Sequence, residues 1–375
     1  MPKFYRIFIL ALGCMLLGSG LAAAETIKVG LLCPLTGAYA NEGQDMQRIV
    51  ELLADGVNKA GGINGDKVEI ITQDDASEPR TSALAAQRLA TSDVVAVIGT
   101  YGSAVTEASQ NILAEAGIVQ IATGSTSIRL TEKGLPTFFR TCPRDDDQGA
   151  TAVKTLVTMG HKRIAILHDN SAYARGLADE IKAGLEHAPG VEIVFFDALR
   201  PNERDYNALL TTMKSKDPEI IMFTGYYPEA ATLLRQMAEM KWQVPMVGGD
   251  ATNNRDLVKL AGGHATGYYF LSPAMPSDLN TESGRAFLTA YQEKYGSMPS
   301  SIWPVLAGDA FNVIVEAIKA KGADSAAIAD YLHNGLKDFS GLTGEIAFNE
   351  KGDRVGNLYY LYQVDKNGEF VMQRD

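Results

Sequence analysis

The sequence predicts an α/β protein built as two doubly wound lobes, each a parallel sheet covered on both faces by helices. Three observations lead there. Short runs rich in Val, Ile and Leu alternate with helical stretches of about ten residues or more, the pattern of βαβ units. The series begins afresh after an acidic stretch at 144–147. At 375 residues the chain also exceeds the roughly 250–300 at which one core stops growing, and its 46% hydrophobic content supplies material for two.

The first series opens with a strand at 27–32, apolar and β-rich, and a loop through Pro34 and Gly37. A helix at 44–59 follows, stopped by Gly61 and Gly62. Next come a strand at 68–73, an Ala- and Leu-rich helix at 80–91, a strand at 94–99, a helix at 104–116 and a strand at 119–122. The second series has helices at 151–159, 174–187, 206–214 and 229–240 with strands at 163–168, 191–196, 220–224 and 245–247. A third stretch has helices at 284–295, 308–320 and 326–335 and short strands at 345–348 and 358–363. Open parallel sheets bind ligands beyond the carboxyl ends of their strands. Loops 33–43, 100–106, 123–127, 168–173, 225–229 and 248–254 are therefore expected to meet at one cleft.

The first 24 residues read as a secretory signal peptide. Lys3 and Arg6 precede an apolar run at 7–17, and Ala22-Ala23-Ala24 offers the cleavage site before Glu25. The run is shorter than the roughly 20 residues a membrane helix needs. Cys14 is a candidate for lipid attachment, but it lacks the leucine expected three positions upstream, so a freely exported protein is the reading. Loss of Lys3 and Arg6 takes the formal charge from −11 to −13. Such an acidic body argues against nucleic acid and anionic membranes as partners. Cys33 and Cys142 form either one disulfide or two buried thiols, and neither has a second Cys or a His at metal-ligand spacing.

The cleft loops carry the chemistry. Tyr101-Gly102-Ser103 follows a strand and opens a helix, where hydroxyl and N–H groups at the positive end of the dipole suit a carboxylate; alternatively Ser103 caps that helix. Gly124-Ser125-Thr126 adds hydroxyls and free N–H groups at the next strand end. Asp250, after two glycines, suits an ammonium group or caps a following helix. Tyr173 and Tyr226 stand where an aromatic face covers a ligand or packs against a cation. No Gly-rich phosphate loop and no nucleophile elbow is present. His168-Asp169 is the one acid–base pair at a strand end, and no nucleophile accompanies it.

Together these loops resemble the periplasmic amino-acid-binding proteins of branched-chain amino acid ABC importers, over essentially all of the chain after residue 24. The residues that carry the resemblance are Ala60-Gly61-Gly62-Ile63-Asn64-Gly65, Asp74-Asp75, Val97-Ile98-Gly99, Arg140-Thr141 with Asp145 and Gln148-Gly149, Gly225-Tyr226-Tyr227-Pro228-Glu229, and Asn349-Glu350-Lys351-Gly352-Asp353. The resemblance implies a type I periplasmic-binding-protein fold whose lobes are joined by three crossovers, near Pro143, Pro273 and Asn349. The implied lobes are residues 25–143 with 274–348, and 144–273 with 349–375.

The resemblance also implies roles. Ser103, Thr126 and backbone groups around Gly124 and Ser125 would hold an α-carboxylate. Asp250 and the Gly124 carbonyl would hold an α-ammonium, and Tyr173 and Tyr226 would close over the ligand. Tyr39, Glu42, Tyr101 and Trp303 would line the side-chain pocket. Family members that bind leucine, isoleucine and valine have glutamate where Asp250 stands and tryptophan where Glu42 stands. The disulfide of some relatives falls on Ser77 and Gly102, so it is absent here. The expected function is capture of an amino acid by a monomeric periplasmic receptor, without cofactor or metal, and its delivery to an ABC permease. The alternatives are a binding protein or sensor for a small amide, urea or aromatic acid, and a hydrolase using His168 and Asp169.

Overall fold

The computed structural model describes residues 26–356 and 358–373. The stretch read as a signal peptide, Cys14 included, lies outside the described residues. The first lobe is built on a five-stranded parallel sheet in the order β2-β1-β3-β4-β5. Its elements run β1 (Thr26–Cys33), α1 (Ala40–Lys59), β2 (Lys67–Asp74), α2 (Pro79–Ala90), β3 (Ala96–Ile98), α3 (Ser103–Glu115), β4 (Val119–Ala122), the one-turn α4 (Arg129–Glu132) and β5 (Phe138–Arg140). Successive side chains of a strand point to opposite faces, and both faces here are dry. Val29, Leu31 and Cys33 join one apolar cluster and Leu32 another. That is why these strands read as continuous apolar runs.

The chain then passes into α5 (Asp145–Thr158), β6 (Arg163–His168), α6 (Ala172–Glu186), β7 (Glu192–Ala198), α7 (Asn207–Lys214), β8 (Ile220–Phe223), α8 (Tyr227–Glu239), β9 (Met246–Gly248), α9 (Asp256–Leu260) and β10 (Tyr269–Ser272). It returns to the first lobe with α10 (Glu282–Tyr295), α11 (Trp303–Lys321), α12 (Ser325–Asp330) and a small hairpin, β11 (Phe339–Ser340) and β12 (Glu345–Ile346). α11 is apolar nearly all round because it is wedged between α1 and the β3–β4 face. The last strands, β13 (Tyr360–Val364) and β14 (Phe370–Met372), complete a second sheet ordered β14-β13-β10-β9-β8-β6-β7. β13 and β14 run antiparallel to their neighbours, so this sheet is parallel only as far as β10.

Two differences from the sequence reading bear on function. α1 starts at Ala40, not 44, because Gly43 lets its first turn press onto the β1 loop: a Cβ there would lie 2.0 Å from the Pro34 carbonyl oxygen. α5 starts at Asp145, not 151. Three aspartates occupy its first turn, where the helix dipole favours negative charge although the apolar pattern has not begun. Both extra turns carry residues into the cleft.

A candidate ligand site between the lobes

The loops after β3 and β4 form one wall, and a buried arginine positions it. Arg140, on β5, donates to the carbonyls of Ser125 (2.9 Å) and Ser127 (3.0 Å) and to the Thr131 hydroxyl (2.7 Å), while its Nε pairs with Asp353 at 2.8 Å. Arg144 reaches the other Asp353 oxygen at 2.9 Å. With the Ser125 and Ser127 carbonyls turned toward Arg140, the loop is anchored from behind. The Ser125 hydroxyl is tied to the Tyr101 carbonyl (3.1 Å) and to Thr106, which also meets Thr100. Ser103 makes no helix-capping bond; its Oγ accepts from the Ser127 N–H across the two loops at 3.2 Å. The Thr126 hydroxyl is buried and faces the Asp145 carboxylate. Gly124 allows the close fit, since a Cβ there would lie 2.6 Å from the Tyr101 ring.

The opposite wall comes from the second lobe. Asp250 follows β9 in a short 3-10 turn and is 1% exposed. It does not cap a helix: its carboxylate accepts from the Tyr359 hydroxyl at 2.7 Å, with Tyr173 and Gln148 also favouring the ionised form. Gln148 accepts the Asp250 N–H through Oε1 (2.9 Å) and donates to the Tyr359 oxygen (3.2 Å). Gly249 admits this network, because a Cβ would meet the Tyr173 hydroxyl at 2.4 Å. Burial still pushes the Asp250 carboxyl up to about 6. Asp145 is also 1% exposed, and burial followed by the Asp250 charge raises it well above the usual carboxylate range, with Thr126 and Arg140 partly offsetting this.

Aromatic rings and a third carboxylate close the remaining side. Tyr226, from the second lobe, stacks on Tyr39 of the first with centroids 4.4 Å apart and lies 5.5 Å from Tyr173. Tyr101 is 5.7 Å from Tyr39 and 6.4 Å from Trp303. Glu42 is buried and accepts from Asn254 of the second lobe (2.6 Å) and from Ser301 (2.7 Å). Burial lifts its carboxyl to about 7 despite both bonds. Beside it, Asn41 donates to Asp256 (2.7 Å) and accepts from the Tyr227 hydroxyl (3.0 Å), so the lobes are bonded directly to each other at the cleft mouth.

All ten residues singled out from the sequence thus lie around this one cleft: Ser103, Gly124, Ser125 and Thr126 on one wall, Tyr173, Tyr226 and Asp250 on the other, and Tyr101, Glu42 and Trp303 at the aromatic end. Sequence reasoning missed Asp145 and Gln148 as lining residues, and Tyr359 as the partner of Asp250. The acidic first turn of α5 was the available signal for Asp145; Tyr359 had none, being distant in sequence from every other member. Cys33 and Cys142 are separate buried thiols, directed at the carbonyls of Gly43 and Ser125. His168 accepts the Asn170 N–H and Asp169 accepts the Ser171 N–H, so both serve their own loop. Among the described residues no group of His, Cys, Asp or Glu is placed to hold a metal ion, and no helix is long and apolar enough to cross a membrane. A crevice of about 740 Å³ lies away from this cleft beside Trp242 and His264.

A family model described as periplasmic binding protein matches residues 26–369. The chain is 32% identical over 358 residues to Leu/Ile/Val-binding protein homolog 3 of Brucella melitensis, covering 95% of each chain. It is also 32% identical over 349 residues to the leucine-, isoleucine-, valine-, threonine- and alanine-binding protein of Pseudomonas aeruginosa, covering 92% of this chain and 91% of that one. Among solved structures, the branched-chain amino acid transporter substrate-binding protein LivJ of Streptococcus pneumoniae, in complex with isoleucine, superposes with a TM-score of 0.86 at 31% identity, covering 94% of this chain and 100% of that chain.

Proposed function

The chain belongs to the periplasmic binding protein family, and from that premise we propose that it captures one α-amino acid of the branched-chain class between its lobes and delivers it to an ABC permease. The observation that carries this reading is the polarity of the cleft. One wall presents a hydroxyl-rich loop held from behind by Arg140, and the other a buried carboxylate, Asp250, with no cation paired to it among the described residues. A zwitterion matches both walls. Its carboxylate takes hydrogen bonds from Ser103, Thr126 and the backbone around Gly124 and Ser125, and its ammonium donates to Asp250 and the Gly124 carbonyl. Charge-assisted bonds made away from water are the strong ones.

Tyr173 and Tyr226 cover the ligand, and Tyr101, Glu42 and Trp303 surround its side chain. Glu42, held by Asn254 and Ser301, is among the described residues the one carboxylate beside this otherwise aromatic pocket. The lobes, 25–143 with 274–348 and 144–273 with 349–375, close on it as a monomer, exported by the signal at 1–24. Thermal unfolding of refolded, ligand-stripped protein against all amino acids, urea, short amides and benzoate tests the reading. Ligand at about 100 times its Kd adds roughly 2.7 kcal/mol and raises the midpoint by several degrees. A shift confined to compounds without an ammonium group removes Asp250 from its role and overturns the amino-acid assignment.

A further inference from the structure

The bonds at the mouth of the cleft join the two lobes directly. Asn41 and Glu42 open α1 after β1 of the first sheet, and Asn254 and Asp256 follow β9 of the second. Asn254 donates to Glu42 Oε1 at 2.6 Å, and Asn41 donates to Asn254 Oδ1 at 3.2 Å and to Asp256 at 2.7 Å. Beside them the Arg255 N–H donates to the Ser300 carbonyl at 3.2 Å, again from one lobe to the other. Glu42 and Asn254 are both 0% exposed. Their contact is an amide donating to a carboxylate away from water, the charge-assisted kind of hydrogen bond that is strongest.

Each half of this contact is held by its own lobe. On the first, Ser301 donates to Glu42 Oε2 at 2.7 Å and is itself fixed by accepting the Trp303 N–H at 3.2 Å. On the second, Asn254 Oδ1 accepts the Asp256 N–H at 2.8 Å, which turns the Asn254 amide group toward the first lobe. Both side chains are thus oriented in advance, and joining them costs little rotamer freedom. The two Glu42 oxygens divide the work: one is bonded within its own lobe, the other across the cleft.

We propose that Glu42 and Asn254 form a clasp across the cleft mouth that holds the lobes closed and sets the rate at which ligand is released. The inference rests on the amino-acid reading above for the identity of the ligand alone, since the clasp bonds one lobe to the other. It can be broken and then remade with its polarity reversed. At pH 8, above the Glu42 value of about 7, Asn254→Asp sets two carboxylates face to face while keeping the oxygen that accepts from Asp256 and Asn41. Adding Glu42→Gln supplies an amide that donates to the introduced carboxylate, keeps an oxygen for Ser301 and restores the wild-type net charge.

Release of labelled L-isoleucine into excess unlabelled isoleucine at pH 8 reads the clasp. Asn254→Asp should speed release about tenfold or more, the equivalent of one bond to a charged group, with the association rate within about threefold of wild type. The double variant should release within about threefold of wild type. Unchanged release in Asn254→Asp, or a double variant as fast as Asn254→Asp, overturns the proposal. Small-angle X-ray scattering of the three proteins without ligand is the second arm. Asn254→Asp should have the largest radius of gyration and the double variant that of wild type, and equal radii in all three overturn the clasp. If isoleucine does not bind wild type, the branched-chain reading fails, and the scattering decides the clasp by itself.

Discussion

Asp353 and Asp145 are both buried, both lie near where the chain crosses between the lobes, and both have Arg140 as a neighbour. Asp353 is neutralised: Arg140 holds one oxygen at 2.8 Å and Arg144 the other at 2.9 Å. Asp145 is in no ion pair among the described residues, and only the Thr126 hydroxyl and the more distant Arg140 charge favour its ionised form. A buried charge that is paired and hydrogen-bonded can be a structural brace, whereas a buried charge without a partner is a cost that persists only where something else answers it. The difference separates a carboxylate that holds the loops in shape from one that the fold leaves without an ion-pair partner.

Five substitutions can break or sharpen this contrast. The largest effect belongs to the brace. Asp353→Ala strands Arg140 in the interior and is expected to cost about 3–5 kcal/mol of stability in urea denaturation. If Asp353→Ala costs less than about 1 kcal/mol while Asp145→Asn costs more than about 3, the contrast between the two carboxylates is reversed.

Next come Asp250→Ala and Ser103→Ala, each expected to weaken amino-acid binding by at least about 1.5 kcal/mol, the lower range for bonds to charged groups. Calorimetric Kd values measure this, and unchanged affinity in both variants removes the site from this cleft. Asp145→Asn should show the opposite balance to Asp353→Ala. Near pH 8 its folded protein should be as stable as wild type or about 1 kcal/mol more so, because no charge without an ion-pair partner remains there.

The smallest effect is expected at Glu42. Its folded value of about 7 lies above the ordinary 4.5, so the stability tied to its protonated form is full below pH 4.5 and lost as pH rises through 7. Glu42→Gln should therefore flatten the pH–stability curve over that window. Near pH 6 it should change stability by no more than about 1 kcal/mol, since a glutamine oxygen still accepts from Asn254 or Ser301. An unchanged slope across that window would place the titration on another group.

Much of the site was legible beforehand because sheet topology sends strand-end loops to one place. Thr123 to Ser127, Tyr173, Tyr226 and Asp250 were found that way, from alternating strands and helices and the polar residues that follow them. Asp145 escaped because its stretch lacks the apolar spacing that marks helices; only the dipole preference for acids in a first turn indicates that α5 begins there. Tyr359 and Gln148 escaped for a different reason. Their roles exist only through bonds to Asp250, 109 and 102 residues away in the chain.

By itself the sequence determined the α/β class, the two-lobe plan, the location of the cleft and the chemical kinds of group within it, because periodicity and turn residues act locally. The tertiary structure decided which acids are paired. Arg140 and Arg144 both converge on Asp353 and leave Asp145 without an ion-pair partner. Whether a carboxylate is a brace or stays without such a partner depends on the charges that folding brings within a few ångströms of it, since Coulomb and desolvation energies follow distance in space and not position along the chain.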